Sequence, residues 1–161
     1  MRKKKLTTFL LIVIIIVLTT VYLIFYFETQ MFLSKEGFVE MEVDQVVNDL
    51  VPAVKLKGKC SELDILISEE QAFAIEQGLK QVSIYRPGTH DILVDILKNF
   101  DIKPLLVKIT KLQDNTYFAE LALQRWNNFL IIDTRPSDAI SIAVRTNTPI
   151  YVNENLVTKT C

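Results

Sequence analysis

Two short stretches gather charged and hydroxyl side chains at the start of apolar segments. One is Arg86-Pro87-Gly88-Thr89-His90-Asp91; the other is Asp133-Thr134-Arg135-Pro136-Ser137-Asp138. Each sets an arginine before a proline, a hydroxyl just after it, and an aspartate where the next helix would begin. Free amides and the dipole at a helix N-terminus favour negative charge, so two such termini with arginines nearby would make a good anion site. Carboxylates beside them could hold a divalent cation through oxygen ligands, as Mg²⁺ prefers. Those parts together suit hydrolysis of a phosphodiester, the cation activating water and arginine stabilising the developing charge. Taken singly, each stretch is ordinary helix-start chemistry, with proline in the first turn, a hydroxyl cap and an acid on the positive end of the dipole. It is the pair that points to a site.

His90 is the sole histidine. That excludes a multi-histidine metal centre and any scheme with separate histidines as acid and base. A lone histidine in a first turn often only caps or hydrogen-bonds, yet histidine is the side chain best suited to proton transfer near neutral pH. Ser137 with His90 and an aspartate could be cast as a hydrolase triad, but no Gly-x-Ser-x-Gly elbow accompanies it. Trp126 and Tyr117 could stack on bases and are more simply read as sheet residues.

The segments that must position these groups follow from hydrophobic period. Phe38, Val39, Met41 and Val43 begin a strand, with Asp44 to Leu50 ambiguous. Val51 to Leu56 is a second strand with Pro52 at its start, and Leu63 to Ile67 a third, read as largely buried. Ser68-Glu69-Glu70-Gln71 has the form of a capping box, so a helix follows, with Gly78 marking its end. Thr89 is the natural cap of a second helix, whose Ile92, Leu93, Ile96, Leu97 and Phe100 share a face. Past Pro104 the period changes to that of strands: Leu105 to Leu112, Tyr117 to Trp126 and Phe129 to Asp133. Turns at Asp114-Asn115 and Asn127-Asn128 make them an antiparallel meander. The helix after Pro136 and a last strand at Pro149-Ile150-Tyr151-Val152 complete the order. This predicts an α+β domain, a mostly antiparallel sheet with its helices packed on one face.

The amino terminus is different in kind. Residues 6–27 form a run of 22 without a charge; as a helix it would reach about 33 Å, enough for a bilayer core of about 30 Å. Arg2, Lys3, Lys4 and Lys5 precede it and Glu28 follows, so the positive-inside rule keeps the amino terminus cytoplasmic and the rest outside. The run is long for a signal peptide and ends in Tyr-Leu-Ile-Phe-Tyr-Phe, a poor cleavage site. The expected layout is a cytoplasmic basic tail at 1–5, a transmembrane helix at 6–27 that meets the lipid bilayer, a connector at 28–36 and a folded domain at 37–161. From Glu36 onward 13 Lys and Arg face 18 Asp and Glu. An acidic domain is no general nucleic-acid binder, because nonspecific affinity comes mainly from neutralised phosphates. Cys60 and Cys161 are too few for a disulfide framework and lack metal-ligand spacing; outside the cytosol they could pair, and two unrelated thiols are the alternative.

Arg86-Pro87-Gly88-Thr89-His90-Asp91, Tyr117-Phe118-Ala119, Asp133 through Ile140 and Pro149-Ile150-Tyr151-Val152 occur in an order that resembles the bifunctional nuclease domain family. The resemblance spans residues 38–157. The chain departs from the family's pattern at Asp64 and Ser68 and in a turn without glycine, all of them scaffold positions. The resemblance implies an α+β fold, hydrolysis of both DNA and RNA, and a homo-oligomer. It also implies roles. Asp91, Asp133 and Asp138 would hold a metal such as Mg²⁺ or orient water, Arg86 and Arg135 would meet phosphate with Thr89 and Ser137 beside them, and His90 would assist proton transfer. The rival expectation is a non-enzymatic assembly module in which the same motifs join subunits through Arg–Asp pairs. A hydrolase of a small anionic substrate is a third.

Overall fold

The structure, a computed structural model, describes residues 2–48, 50–81 and 86–161, without the side chains of residues 2–8, 25 and 28–32. It divides into two units, Met1–Ser34 and Lys35–Cys161. The first is a single helix, α1 (Arg2–Leu33). Among the described residues no helix is long and apolar enough to cross a membrane. The side chains described along α1 begin at Phe9, so they cover only part of the uncharged run, and the expected transmembrane helix is not supported by them.

The second unit carries eight strands and three further helices among its described residues. Their order is β1 (Phe38–Val47), β2 (Ala53–Lys57), β3 (Ser61–Leu66), α2 (Glu69–Lys80), α3 (Thr89–Asn99), β4 (Lys103–Gln113), β5 (Thr116–Arg125), β6 (Asn128–Thr134), α4 (Pro136–Thr146), β7 (Ile150–Asn153) and β8 (Thr158–Lys159). The strands form one sheet in the order β6-β5-β4-β7-β1-β2-β3-β8. Every pairing is antiparallel except that of β4 with β7. That exception arises because α4 carries the chain from β6, past two neighbours, to the far side of β4. The α+β expectation therefore holds.

The meander is built by its turns. Asp114 and Asn115 both take positive φ, 50° and 57°, the twist that matches a tight hairpin and that Asp and Asn tolerate. The next turn lies one residue earlier than expected, with Trp126 at φ 53°, because β6 starts at Asn128. α4 lies at the centre of the helices, packing on α2 and α3 and resting on β4 and β5, while α2 meets β1. Its Ala139, Ile140, Ile142 and Ala143 are buried against Val107, Ile109 and Leu121 of the sheet.

Several local expectations are corrected. β3 is not buried throughout; it alternates, with Leu63 and Ile65 inward and Asp64 and Leu66 outward. The face of α3 that finds a partner carries Val94 and Leu97, leaving Ile92, Leu93, Ile96 and Phe100 exposed. α3 packs mainly on α4, so only a narrow stripe is covered. The tail contributes a strand, β8, against β3. Cys60 and Cys161 are joined in a disulfide closing a sequence separation of 101, so no cysteine is free. Reduction is expected to add two hydrogens to the intact mass. An unchanged mass would show two thiols instead.

Gly78 does not end its helix. α2 runs on to Lys80 and is closed by Gln81 at φ 50°. What Gly78 provides is clearance: a Cβ there would stand 2.5 Å from both Arg145 Nη1 and Val144 Cγ2 of α4. Alanine favours a helix by about 1 kcal/mol over glycine, but overpacking costs about 1–3 kcal/mol where the neighbour cannot yield. Arg145 is held by three hydrogen bonds. Gly78→Ala is therefore expected to lower stability in urea unfolding despite its better helix propensity.

Candidate active site

α2 starts as its sequence dictates. The Ser68 hydroxyl accepts from the Gln71 amide at 3.3 Å while the Gln71 side chain accepts from the Ser68 amide at 2.9 Å. α3 starts differently from expectation. Gly88, not Thr89, is the cap, and the Asp91 carboxylate takes up the free Gly88 amide at 2.8 Å. Thr89 is exposed at the first helical position. α4 begins at Pro136 behind Arg135, whose side chain makes no cap bond and folds instead onto Asp138.

The two polar stretches meet. His90 Nε2 lies 3.2 Å from Asp138 Oδ1, across 48 residues of chain. Arg135 grips the same carboxylate with two bonds, Nε to Oδ2 at 2.6 Å and Nη2 to Oδ1 at 3.1 Å. With Asp138 accepting at Nε2, the neutral imidazole carries its proton there and leaves Nδ1 as the basic nitrogen. His90 lines a cleft of about 470 Å³ with Arg86, Thr89, Asp91, Phe73 and Gln77. Arg86 is exposed, and no ion pair engages it among the described residues.

Asp91 is tied the other way. Its Oδ1 accepts from Arg145 Nε at 2.6 Å. Arg145 Nη1 also donates to the carbonyls of Ala74 and Ser141, each at 2.9 Å. The Arg145 side chain is 10% exposed, and its guanidinium joins α2, α3 and α4 at one point. Nothing in the sequence marked it, because a basic residue in the last turn of a helix is what the dipole asks for anyway.

Two expected site residues fall outside. Ser137, in the first turn of α4, is buried at 4% exposure, which leaves little surface for a substrate. Asp133 sits on β6 opposite Glu120; Glu120 faces Lys108, Lys108 pairs with Tyr151, and Tyr151 with Glu40. Directly paired residues share a sheet face, so Asp133 belongs to a polar row across five strands. Within that row Tyr151 donates to Glu40 at 3.0 Å. Burial lowers the Lys108 amine against the pull of Glu120.

The donor set does not fit the expected three-carboxylate cation site. Among the described residues no group of three or more His, Cys, Asp or Glu is placed to hold a metal. Asp91 is spent on Arg145 and Gly88, and Asp138 on Arg135 and His90.

Both aspartates ionise more readily than usual. The hydrogen bond from Arg145 holds Asp91 below the ordinary carboxylate range against the cost of burial. At Asp138 burial pushes upward, and the bonds from Arg135 and His90 outweigh it. A depressed folded value means the unfolded chain binds protons first as pH falls. The stability these pairs add is thus complete above the ordinary value near about 3.9 and is lost as pH drops through the folded values. Urea midpoints are expected to fall below about pH 4, and Asp91→Asn to flatten that fall.

A family model described as a bifunctional nuclease domain matches residues 54–161. An uncharacterized protein of Mycobacterium tuberculosis is 33% identical over 116 residues, 72% of this chain and 69% of that protein. Bifunctional nuclease 1 of Arabidopsis thaliana is 34% identical over 111 residues, 65% of this chain and 34% of that protein. Bifunctional nuclease 2 of the same plant is 34% identical over 97 residues, 58% and 30% respectively. The match thus spans about a third of each plant protein's length.

Proposed function

Because the chain belongs to the bifunctional nuclease domain family, we propose that it hydrolyses phosphodiester bonds of DNA or RNA in the cleft beside His90. The observation that carries this reading is the contact of His90 with Asp138, which joins the two polar stretches into one constellation. His90 Nδ1 takes a proton from the attacking water as its oxygen bonds to phosphorus and the P–O bond to one sugar breaks; the departing sugar oxygen is protonated from solvent, to which the imidazolium returns its proton. Asp138 holds the ring in that tautomer and stabilises the imidazolium, the part an acid plays behind any histidine base. Arg86 meets the phosphate and stabilises the charge that develops on its oxygens. Arg135 fixes Asp138 and does not itself reach for substrate. Asp91 and Arg145 tie the start of α3 and the end of α4 to the middle of α2. Water as nucleophile needs no 2′-hydroxyl, so DNA and RNA are both within reach.

The test is the purified full chain with single- and double-stranded DNA and RNA, with and without a chelator. The expected result is cleavage of at least one substrate class. Cleavage is expected to survive the chelator, since the described carboxylates are not placed to hold a cation; loss under chelation that Mg²⁺ restores would show that a cation is needed. No cleavage of any substrate, together with dissociation of an oligomer by Arg135→Ala, would favour the assembly module instead. A homo-oligomer is proposed on the exposed stripe of Ile92, Leu93, Ile96 and Phe100, since contiguous apolar surface of this kind marks contact sites.

A membrane tether through residues 6–27, with the domain outside, rests on the uncharged run, its basic flank and the Cys60–Cys161 disulfide, because such bonds persist in oxidising compartments. Protease added to intact cells is expected to remove the domain; protection of residues 36–161 would overturn that orientation.

A further inference from the structure

We propose that the α2 side of the cleft takes one unpaired nucleobase, so that the chain selects single-stranded nucleic acid. This rests on the hydrolytic reading above and extends it to the form of the substrate. The cleft has two walls of unlike chemistry. The start of α3 presents Arg86 and His90, groups that meet a phosphate. α2 presents Glu70, Phe73, Ala74 and Gln77, spaced i, i+3, i+4 and i+7 and therefore on one helical face. That wall bears no positive charge. Arg145 bridges the two, bonding Asp91 of α3 and the Ala74 carbonyl of α2.

An aromatic ring, an amide and a carboxylate are what a base requires and a phosphate does not. Phe73 is 50% exposed although it lies on a helix that packs against α4, and an exposed ring beside an arginine is a stacking platform for a base. The Ser68 hydroxyl lowers the Glu70 carboxyl, which keeps it ionised, able to accept from an exocyclic amine and repellent to a phosphate. The Gln77 amide oxygen is buried and finds no hydrogen-bond partner among the described residues, so its side chain gives up no bond to them by turning toward a ligand's donor. The volume, about 470 Å³, falls in the range of about 300–1,000 Å³ typical of small-ligand sites. A base inside a duplex cannot enter such a site without leaving its stack. With 13 Lys and Arg against 18 Asp and Glu from Glu36 onward, the domain has few phosphate contacts with which to hold a duplex. Affinity must come from the base.

The test uses the full chain in detergent micelles, titrated calorimetrically with adenosine 5′-monophosphate and with ribose 5-phosphate. The nucleotide is expected to bind at least about fivefold more tightly, the range stacking supplies. Phe73→Ala should erase the difference and Phe73→Trp keep it. In cleavage of one sequence as single strand and as duplex, the single strand should be cut at least about fivefold faster, with Phe73→Ala raising KM and sparing kcat. Equal binding of the two ligands, or a preference that survives Phe73→Ala, overturns the base site. Equal cutting of single strand and duplex also overturns it and leaves the nuclease reading standing. Tighter nucleotide binding without any cleavage does the reverse: the base site stands and the hydrolytic reading fails.

Discussion

His90→Ala is expected to slow phosphodiester cleavage by about 10²- to 10⁴-fold, the worth of a positioned general base, with little change in KM. The ring is partly buried at the start of α3 and, among the described residues, hydrogen-bonds to Asp138 alone. Removing it therefore costs the fold little and the chemistry much. Thermal unfolding measured beside the rate separates the two. If the loss were smaller than about tenfold, proton transfer by His90 would be excluded, since even a modest general base contributes more.

Arg145→Met is expected to destabilise the domain by about 3 kcal/mol in urea unfolding, toward the low end of what breaking a buried ion pair costs. The low end applies because the Asp91 side chain is 30% exposed and water can partly replace the lost guanidinium. The substitution also strips the Ala74 and Ser141 carbonyls of their shared donor. Asp91→Asn keeps one acceptor oxygen where the carboxylate offers two, so it serves Arg145 or the Gly88 amide but not both, and it should still cost less because Arg145 retains the two carbonyls. The two changes share a partner, so their effects should not add, and the double variant should lie close to Arg145→Met alone. Additive losses would mean that Arg145 acts through the two carbonyls and not through Asp91.

Much of this architecture can be read along the chain, and the failures have a common cause. The capping box at Ser68 and Gln71, the Asp114-Asn115 turn and the Pro136 helix start are local, and local chemistry decides them. The meander follows from period. What escapes is every feature set by which element happens to lie alongside. Hydrophobic spacing in α3 groups Ile92, Leu93, Ile96, Leu97 and Phe100 as one face but not whether α4 or solvent meets it, and here Leu97 turns inward with Val94 while the other four stay exposed. Gly78 looks like a helix stop because glycine commonly is one; that it makes room for Arg145 depends on the crossing of α2 and α4.

The candidate site divides in the same way. The two motifs suggested His90 and Asp138, and their contact across the helices is where the motif echo led. Asp133 was grouped with them by its nearness in sequence to Arg135, yet a strand residue takes its face from register, and register sets it opposite Glu120. Arg145 had no signal of its own. Only the crowding of Ala74, Asp91 and Ser141 around its guanidinium reveals it.

The central claim is that the two polar stretches act as one hydrolytic unit, with Asp138 working through His90. The most direct measurement is single-strand cleavage by His90→Ala, Asp138→Asn and the double variant beside the native chain. Residues that act as a unit lose most of their effect with the first change. The double variant should therefore cut within about threefold of His90→Ala, a difference of less than 1 kcal/mol in the barrier. Losses that multiply would contradict the account, as would a native chain that cuts nothing.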